Sequence, residues 1–377
     1  MDFELSEDQV LLQESVQRFV QDNYSFEQRR KIVDNDKGFS ETHWKQFAEL
    51  GWLGMAFPEA VGGYGGTPVE TMIVMEEFGK GLVAEPFVST VVLGGGAIIA
   101  GGSAEQQQEI VGKIAEGELK LALAFAERQS RYNLADVETK AEAAGSDYIL
   151  SGAKSVVFGA PSADKFIVSA RTSGGSREEA GISLFLIDSN ATGVAVRGYP
   201  TVDGLRAGEV TLNNVKIPGS AMVGGKDQGF DILDHVIDHA IAATAAEATG
   251  AMSALNNMTL EYIKTREQFG QPIGKFQVLQ HRMVDMFIAH EEAKSMSMMV
   301  AMRVSDEDVR ERRKAASACK VQIAKSCRFV GQQAIQLHGG IGMTDEYAAG
   351  HYFKRLTMID RSFGDSDFHL ARFGQLS

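Results

Sequence analysis

Only two cysteines, Cys319 and Cys327, occur in 377 residues. They share one helical pattern without the close pairing of a metal knuckle, so buried thiols in a reducing, cytoplasmic setting are expected. Missing too is any apolar run near the ~20 residues that a membrane-spanning helix needs. The opening MDFELSEDQVLLQES carries acids and an amphipathic pattern instead of a basic stretch followed by an apolar one, so no secretory signal is visible. Positive charge is short as well: 37 Lys and Arg stand against 50 Asp and Glu, a formal net charge of −13. Polyanion affinity comes from clustered Lys and Arg, so nucleic acid is not an expected partner. Internal repeats and low-complexity runs are absent.

What is present is apolar periodicity, carried by the 44% of residues that are hydrophobic. Across residues 6–56, Val10, Leu11, Val16, Phe19 and Val20, then Trp44, Phe47, Leu50 and Leu53, recur at helical spacing and predict two amphipathic helices. The breaker-rich FPEAVGGYGGTP, 57–68, is expected to be a loop, followed by helices over 69–78, 90–100 and 105–115. Between 121 and 223 the pattern changes to short β-prone runs split by turns: LALAF, YILSG, KSVVFG, KFIVSAR, ISLFLID, GVAVRG and GEVTLNNVKIP. A small antiparallel sheet is expected there, with TSGGSREEAG at 172–181 as an exposed hairpin tip. Helical periodicity returns over 231–265, 277–304, 306–337 and 346–359. The predicted fold class is α+β and multidomain, with an N-terminal helical domain at 1–118, a middle antiparallel β domain at 119–225 and a C-terminal helical bundle at 226–377.

Two arrangements are set aside. TVVLGGGAIIAGG at 90–102 looks like a strand entering a dinucleotide-binding glycine turn, but Ile99 stands where a third small residue should be and no strand–helix–strand unit surrounds it. A helix packed closely through its glycines is expected instead. His235 and His239 lie four apart on a helix beside Asp238, yet no third ligand cluster or HExxH-type acid accompanies them, so no metal is expected.

The stretch REQFGQPIGKFQ, 266–277, closes a long helical pattern. Arg266 offers a forked cation suited to pyrophosphate, Phe269 a flat apolar face, Gly270 a tight turn and Gln277 an amide. Alone, these residues equally suit a glycine-capped helix end with Arg266 in a surface ion pair. A second stretch, QLHGGIGMTDEY at 336–347, again follows a long helix and joins an amide, Gln336, to Gly339, Gly340 and Gly342, which permit close backbone approach to a ligand. Two such helix ends point to a large, partly anionic, partly aromatic ligand such as a nucleotide cofactor.

REQFGQPIGKFQVLQHRMVDM and QLHGGIGMTDEYAAGHYFKRL resemble the two signature regions of the acyl-CoA dehydrogenases, flavoproteins with a helical, β, helical three-part fold. FPEAVGGYGGT resembles their N-terminal Pro-Glu-Gly-Gly loop, AEQQQEIVGKIAEGELKLALAFAE the approach to the β domain, and VDGLRAGEVTLNNVKIP its closing strands. The resemblance implies FAD as cofactor, with Arg266, Phe269, Gln277, Gln336 and Gly340 reaching across a subunit interface to its pyrophosphate and adenine portion. It therefore implies an oligomer, homo- or hetero-, dimer or tetramer. It also implies α,β-dehydrogenation of an acyl-CoA, of fatty, dicarboxylyl or steroid side-chain type, with electrons passed to an electron-transfer flavoprotein. The chemistry needs a carboxylate base and hydrogen-bond donors to the thioester carbonyl.

The chain departs from that family where the base belongs. In RSFGDSDFHLARF, Gly364 falls where many members carry a glutamate; where others carry it, early in the long helix, Ala240 stands, with Ile241 replacing a usual arginine. Asp365, one residue on, is a candidate base or the N-cap of the next helix. Glu247, seven residues beyond Ala240 on roughly the same face, is the other candidate; buried among Ala242, Ala243, Ala245 and Ala246, an acid would have its proton affinity raised by desolvation. A third reading is that this chain holds no base. The flavin-facing segments depart too: AERQSRYNLAD at 126–136 replaces a Thr-Glu-Pro-Gly-rich loop, and Val156, Val157 and Phe158 replace Trp-x-Thr after Gly152 and Lys154. The expected function is thus an acyl-CoA dehydrogenase, active by itself or only with a partner subunit. The alternatives are a non-catalytic chain completing a paralogue's FAD site, and other flavin chemistry such as oxygen-consuming or nitroalkane oxidation.

Overall fold

The computed structural model describes residues 5–376. Ser6 and Gln9 close a capping box at the start of α1 (Glu7–Asn23), which buries Val16, Phe19 and Val20. A second reciprocal pair, Ser25 with Gln28, starts α2 (Phe26–Asp34), and Ser40 caps α3 (Glu41–Glu49). Residues 6–56 thus hold three helices where periodicity predicts two, because a capping box satisfies the orphan N–H groups of a new helix start inside the run. The expected loop precedes α4 (Pro68–Gly81).

The glycine-rich stretch is helical, as expected, but it begins as a π-helix at Val88–Gly95 before α5 (Gly96–Gly101) and α6 (Ala104–Ala115). Its glycines serve close packing. A Cβ on Gly94 would stand 2.4 Å from the Leu121 side chain, and one on Gly95 2.3 Å from the Phe57 ring.

The sheet comprises β1 (Leu121–Ala124), β2 (Lys140–Ala144), β3 (Asp147–Phe158), β4 (Lys165–Arg171), β5 (Ile182–Asp188), β6 (Val194–Pro200), β7 (Arg206–Ile217) and β8 (Met222–Val223). Its order is β6-β7-β3-β2-β4-β5-β8, with β1 also on β4. The pairing is not wholly antiparallel: β1 and β2 both run parallel to β4. YILSG and KSVVFG, which read as two runs, form the single strand β3; Gly152 at φ +155° and Val156 at φ +53° take up register shifts against β7, so the strand bends without ending. The core holds Leu150, Phe166, Val168, Phe185, Val210 and Val215.

The order of elements is N-terminal helices, a middle sheet and a C-terminal bundle of α7 (Gly229–Thr265), α8 (Gln277–Arg303), α9 (Val309–His338), α10 (Ala348–Arg361) and α11 (Ser366–Leu376). The chain packs as two compact units. A sheet unit takes Ile32–Thr67 and Ala84–Ala240; a helical unit takes the described residues up to Lys31, then Pro68–Val83, and those from Ile241 onward. Among the described residues no helix is long and apolar enough to cross a membrane.

Within the helical unit α4 and α7 meet through reciprocal glycines. A Cβ on Gly79 would lie 2.0 Å from the Glu247 carbonyl oxygen, and one on Gly250 1.8 Å from that of Glu76. The two backbones therefore touch, and any side chain at either position must push the helices apart. Gly250→Ala is expected to lower stability by ~1–3 kcal/mol or more through overpacking. Gly112→Ala, where a Cβ meets nothing within 4 Å on α6, is expected to raise it by ~0.5–1 kcal/mol. Thermal unfolding midpoints of the two variants check this pair; equal shifts would refute the crossing.

Candidate cofactor and catalytic site

Both glycine turns sit at helix ends in the helical unit. After α7, β9 (Glu267–Gln268) pairs antiparallel with β10 (Gln271–Pro272) across a two-residue turn. Phe269 and Gly270 occupy that turn at φ +55° and +78°, the double left-handed geometry of a type I′ hairpin. A left-handed non-glycine residue costs about 1–2 kcal/mol. The Phe269 side chain does not recover this by burial, since the residue is 91% exposed. The Arg266 guanidinium and the Gln277 amide also face solvent, and neither makes a hydrogen bond or ion pair among the described residues. Gln277 opens α8, whose N-terminus has no side-chain cap. Its free N–H groups and the helix dipole favour negative charge.

The second turn follows α9. Gly339 has φ +63° and ψ −140°, and a Cβ on Gly339 or Gly340 would meet nothing within 4 Å. The Gln336 side-chain amide is exposed and unpartnered among the described residues. It lines a pocket of about 480 Å³ with Gln332, Ile335, Gly339, Gly340, Met343 and Phe353. The two helix ends come together through rings: Tyr262, in the last turn of α7, stacks at 4.6 Å on His338, the last residue of α9. Outward amides, an unpaired guanidinium, an uncapped helix start and open glycines fit the pyrophosphate and nucleoside of a flavin dinucleotide.

The two candidate bases are placed differently. Asp365 is the N-cap of α11: the Phe368 N–H donates to its Oδ1 at 3.0 Å, and Arg361 Nη1 lies 3.2 Å from Oδ2. The turn before it carries two left-handed residues, Phe363 at φ +59° and Gly364 at φ +112°. His369 is buried beneath this turn. Its Nε2 donates to the Phe363 carbonyl at 2.8 Å and its Nδ1 accepts from the Ser317 hydroxyl at 3.3 Å. Burial pushes the imidazole down to about 3.

Glu247 is buried, as are its alanine neighbours Ala243 and Ala246. It is not the isolated acid that the sequence pattern describes. Arg355 on α10 grips it in a fork, with Nε to Oε1 and Nη2 to Oε2 both at 2.6 Å. Both carboxylate oxygens are thereby taken up by one guanidinium. Arg355 stands 108 residues away in sequence, so spacing along α7 could not reveal it.

In the sheet unit the segment 126–136 is a closed loop. Glu127 turns inward to Lys154 Nζ at 2.7 Å and accepts the N–H groups of Glu138 and Thr139. Burial alone would push this carboxyl up, but the Lys154 charge and these hydrogen bonds hold it at about 2. Burial in turn draws Lys154 down to about 8 against the pull of Glu127. The pair explains why Lys154 follows Gly152: it anchors the loop.

Family models cover the chain in sequence. "Acyl-CoA dehydrogenase, N-terminal domain" matches residues 6–118, the middle domain 122–215 and the C-terminal domain 227–375. The probable acyl-CoA dehydrogenase YngJ of Bacillus subtilis is 28% identical over 372 residues, spanning 97% of each protein. The ChsE4-ChsE5 complex from Mycobacterium tuberculosis has a TM-score of 0.90 at 27% identity, covering 100% of this chain and 98% of that one. A variant of the steroid ACAD Tcur3481-Tcur3483 has a TM-score of 0.88 at 29% identity, covering 98% of this chain and 97% of that one.

His369 sets a pH dependence. It stays neutral in the folded chain, whereas an unfolded histidine binds a proton below about pH 6.5. The unfolded state then holds more protons, so stability rises with pH across the window from about 3 to about 6.5 and is lost as acid is added. The thermal midpoint is expected to fall between about pH 7 and pH 4, and to fall less steeply in His369→Gln, whose amide keeps a donor for the Phe363 carbonyl. Identical slopes in the two proteins would contradict this account.

Proposed function

The chain belongs to the acyl-CoA dehydrogenase family, and within it we propose the role of FAD-lending subunit in a hetero-oligomer that dehydrogenates the α,β-bond of a bulky acyl-CoA. Its cofactor is FAD. The observation that carries the proposal is a contrast within the helical unit. The polar side chains suited to the nucleotide end, Arg266, Gln277 and Gln336, point outward without partners among the described residues, and Phe269 is 91% exposed with only an edge contact to Phe276, while both carboxylates suited to proton removal, Glu247 and Asp365, are already bonded inside the chain.

The chemistry that FAD supplies when bound is acceptance of the β-hydrogen as hydride. This chain's residues hold the other end. Arg266 gives a forked charge to the pyrophosphate, and the uncapped start of α8 adds backbone donors. Phe269 closes on an apolar face, Gln277 and Gln336 offer amides, and Gly340 lets the backbone approach. The α-proton goes to a carboxylate of the partner subunit, and electrons leave to an electron-transfer flavoprotein. Val278, Val284, Phe287 and Ile288 support the partner as well, since they expose a row of large apolar side chains along α8 just past the first turn. The bulky acyl group is supported by the steroid ACAD, and the pairing of two chains by the ChsE4-ChsE5 complex, both alike to this chain along almost its whole length.

A second reading keeps Asp365 as the base. Its pairing with Arg361 is partly exposed, and such pairs are worth ~0–1 kcal/mol, so its carboxylate is releasable.

Co-purification with the chain encoded beside it tests the proposal. Flavin absorbance should give one FAD per pair of chains, and Arg266→Ala should weaken FAD retention roughly ten- to a hundredfold, the loss of a hydrogen bond to a charged group. Full FAD occupancy and acyl-CoA turnover by this chain alone would defeat it. Asp365→Asn and Glu247→Gln separate the two readings of the base: turnover of the pair within a few-fold of wild type in Asp365→Asn favours the partner's carboxylate, and a drop of ~100-fold or more favours Asp365.

A further inference from the structure

His338 lies between Gln336 and Gly339 in the second turn, yet its side chain points away from the open pocket. Its Nδ1 is 2.8 Å from the Ala334 carbonyl, so Nδ1 carries the proton and donates. The neutral imidazole then has an acceptor at Nε2, which is buried and without a partner among the described residues. A buried acceptor left unpaired costs ~1–3 kcal/mol.

What the ring does make is a clasp. Tyr262 lies against it at 4.6 Å with planes 34° apart, and Tyr347 lies against it at 5.1 Å and 54°. The two tyrosines approach each other at 6.3 Å around it. Each belongs to a different part of the site. Tyr262 stands in the last turn of α7, and its carbonyl accepts the Arg266 N–H at 2.8 Å, so it sets where the first turn begins. Tyr347 is the N-cap residue of α10 and bounds the far side of the second turn. The His338 Cβ also fills the space beneath Gly342, where an added Cβ would come within 3.0 Å. One side chain thereby touches the root of the first turn and both ends of the second.

We propose that His338 is a positioning residue for cofactor lending: clasped between Tyr262 and Tyr347, it holds the Arg266 turn and the Gln336 turn in one fixed relation, so that both act on the same FAD as a unit. The proposal rests on the FAD-lending reading. It concerns how two contacts are coupled and adds no further contact with the cofactor.

Coupling is measured with a double-mutant cycle on the FAD dissociation constant of the assembled protein. Arg266→Ala, Gln336→Ala and both together are compared in the wild-type background, in His338→Asn and in His338→Phe. Asn keeps a donor for the Ala334 carbonyl and removes the ring; Phe keeps the ring and removes the donor. In the wild-type background the double variant should weaken FAD at least threefold less than the product of the single factors. In His338→Asn the factors should multiply, and His338→Phe should restore the shortfall. A role confined to folding would weaken binding in both His338 variants without changing this coupling. Multiplying factors in the wild type, or a shortfall unchanged in His338→Asn, would overturn the proposal. If Arg266→Ala and Gln336→Ala each leave FAD affinity unchanged, the lending reading itself fails and takes this proposal with it. Measurable single effects that simply multiply in the wild type condemn His338 alone.

Discussion

Where α4 crosses α7, two absent side chains set the frame of the helical unit. Gly79 and Gly250 let the helices touch backbone to backbone, and the carbonyl at the contact belongs to Glu247. The same residue sends its carboxylate to Arg355 on α10, and α10 is tied a second time where the Tyr352 hydroxyl donates to the Lys80 carbonyl on α4. Apolar burial is non-directional and would tolerate sliding among these helices. A steric contact between backbones joined to a forked, two-bond ion pair does not. Removing one partner of such a buried pair leaves an uncompensated charge, typically a loss of ~3–5 kcal/mol, so neither residue is free to drift or to be replaced singly.

That frame divides the charged residues into two kinds. Glu247 with Arg355, and Glu127 with Lys154 in the sheet unit, are buried and mutually satisfied. Their function is to specify geometry. Arg266 is the opposite case, a cation of an acidic protein left exposed and unpaired at a helix end. With a net charge of −13, the chain has carboxylates enough to neutralise it. That none does so within the described residues is what separates a lending site from an ordinary salt-bridged surface.

Much of this was legible in the sequence. Helical periodicity, the change to β-prone runs and the two glycine turns stand close to where periodicity and breakers put them, because each is a local property of backbone sterics and solvent exposure. Asp365 read equally well as a cap and as a base, and it is bonded as a cap. What could not be read was long-range. Arg355 converts Glu247 from an isolated acid into half of an ion pair, and nothing in α7 announces it. β2 escaped notice because KAEAA has no β-branched or aromatic residue, and it is held in place by β3 and β4, which flank it. The Ser25–Gln28 box, a four-residue signal that the two-helix expectation passed over, explains the extra helix near the N-terminus.

Phe269 has a consequence beyond the site. It sits in a strained turn with its ring in water, and Val278, Phe287 and Met343 of the same helical unit are exposed as well. Until another molecule covers them, these side chains form the kind of apolar surface that chaperones and proteases recognise in unassembled proteins. Copies made in excess of whatever shields this face would be cleared, and those that assemble would persist. The steady amount of this protein in a cell would then be governed by the supply of its complement more than by its own rate of synthesis.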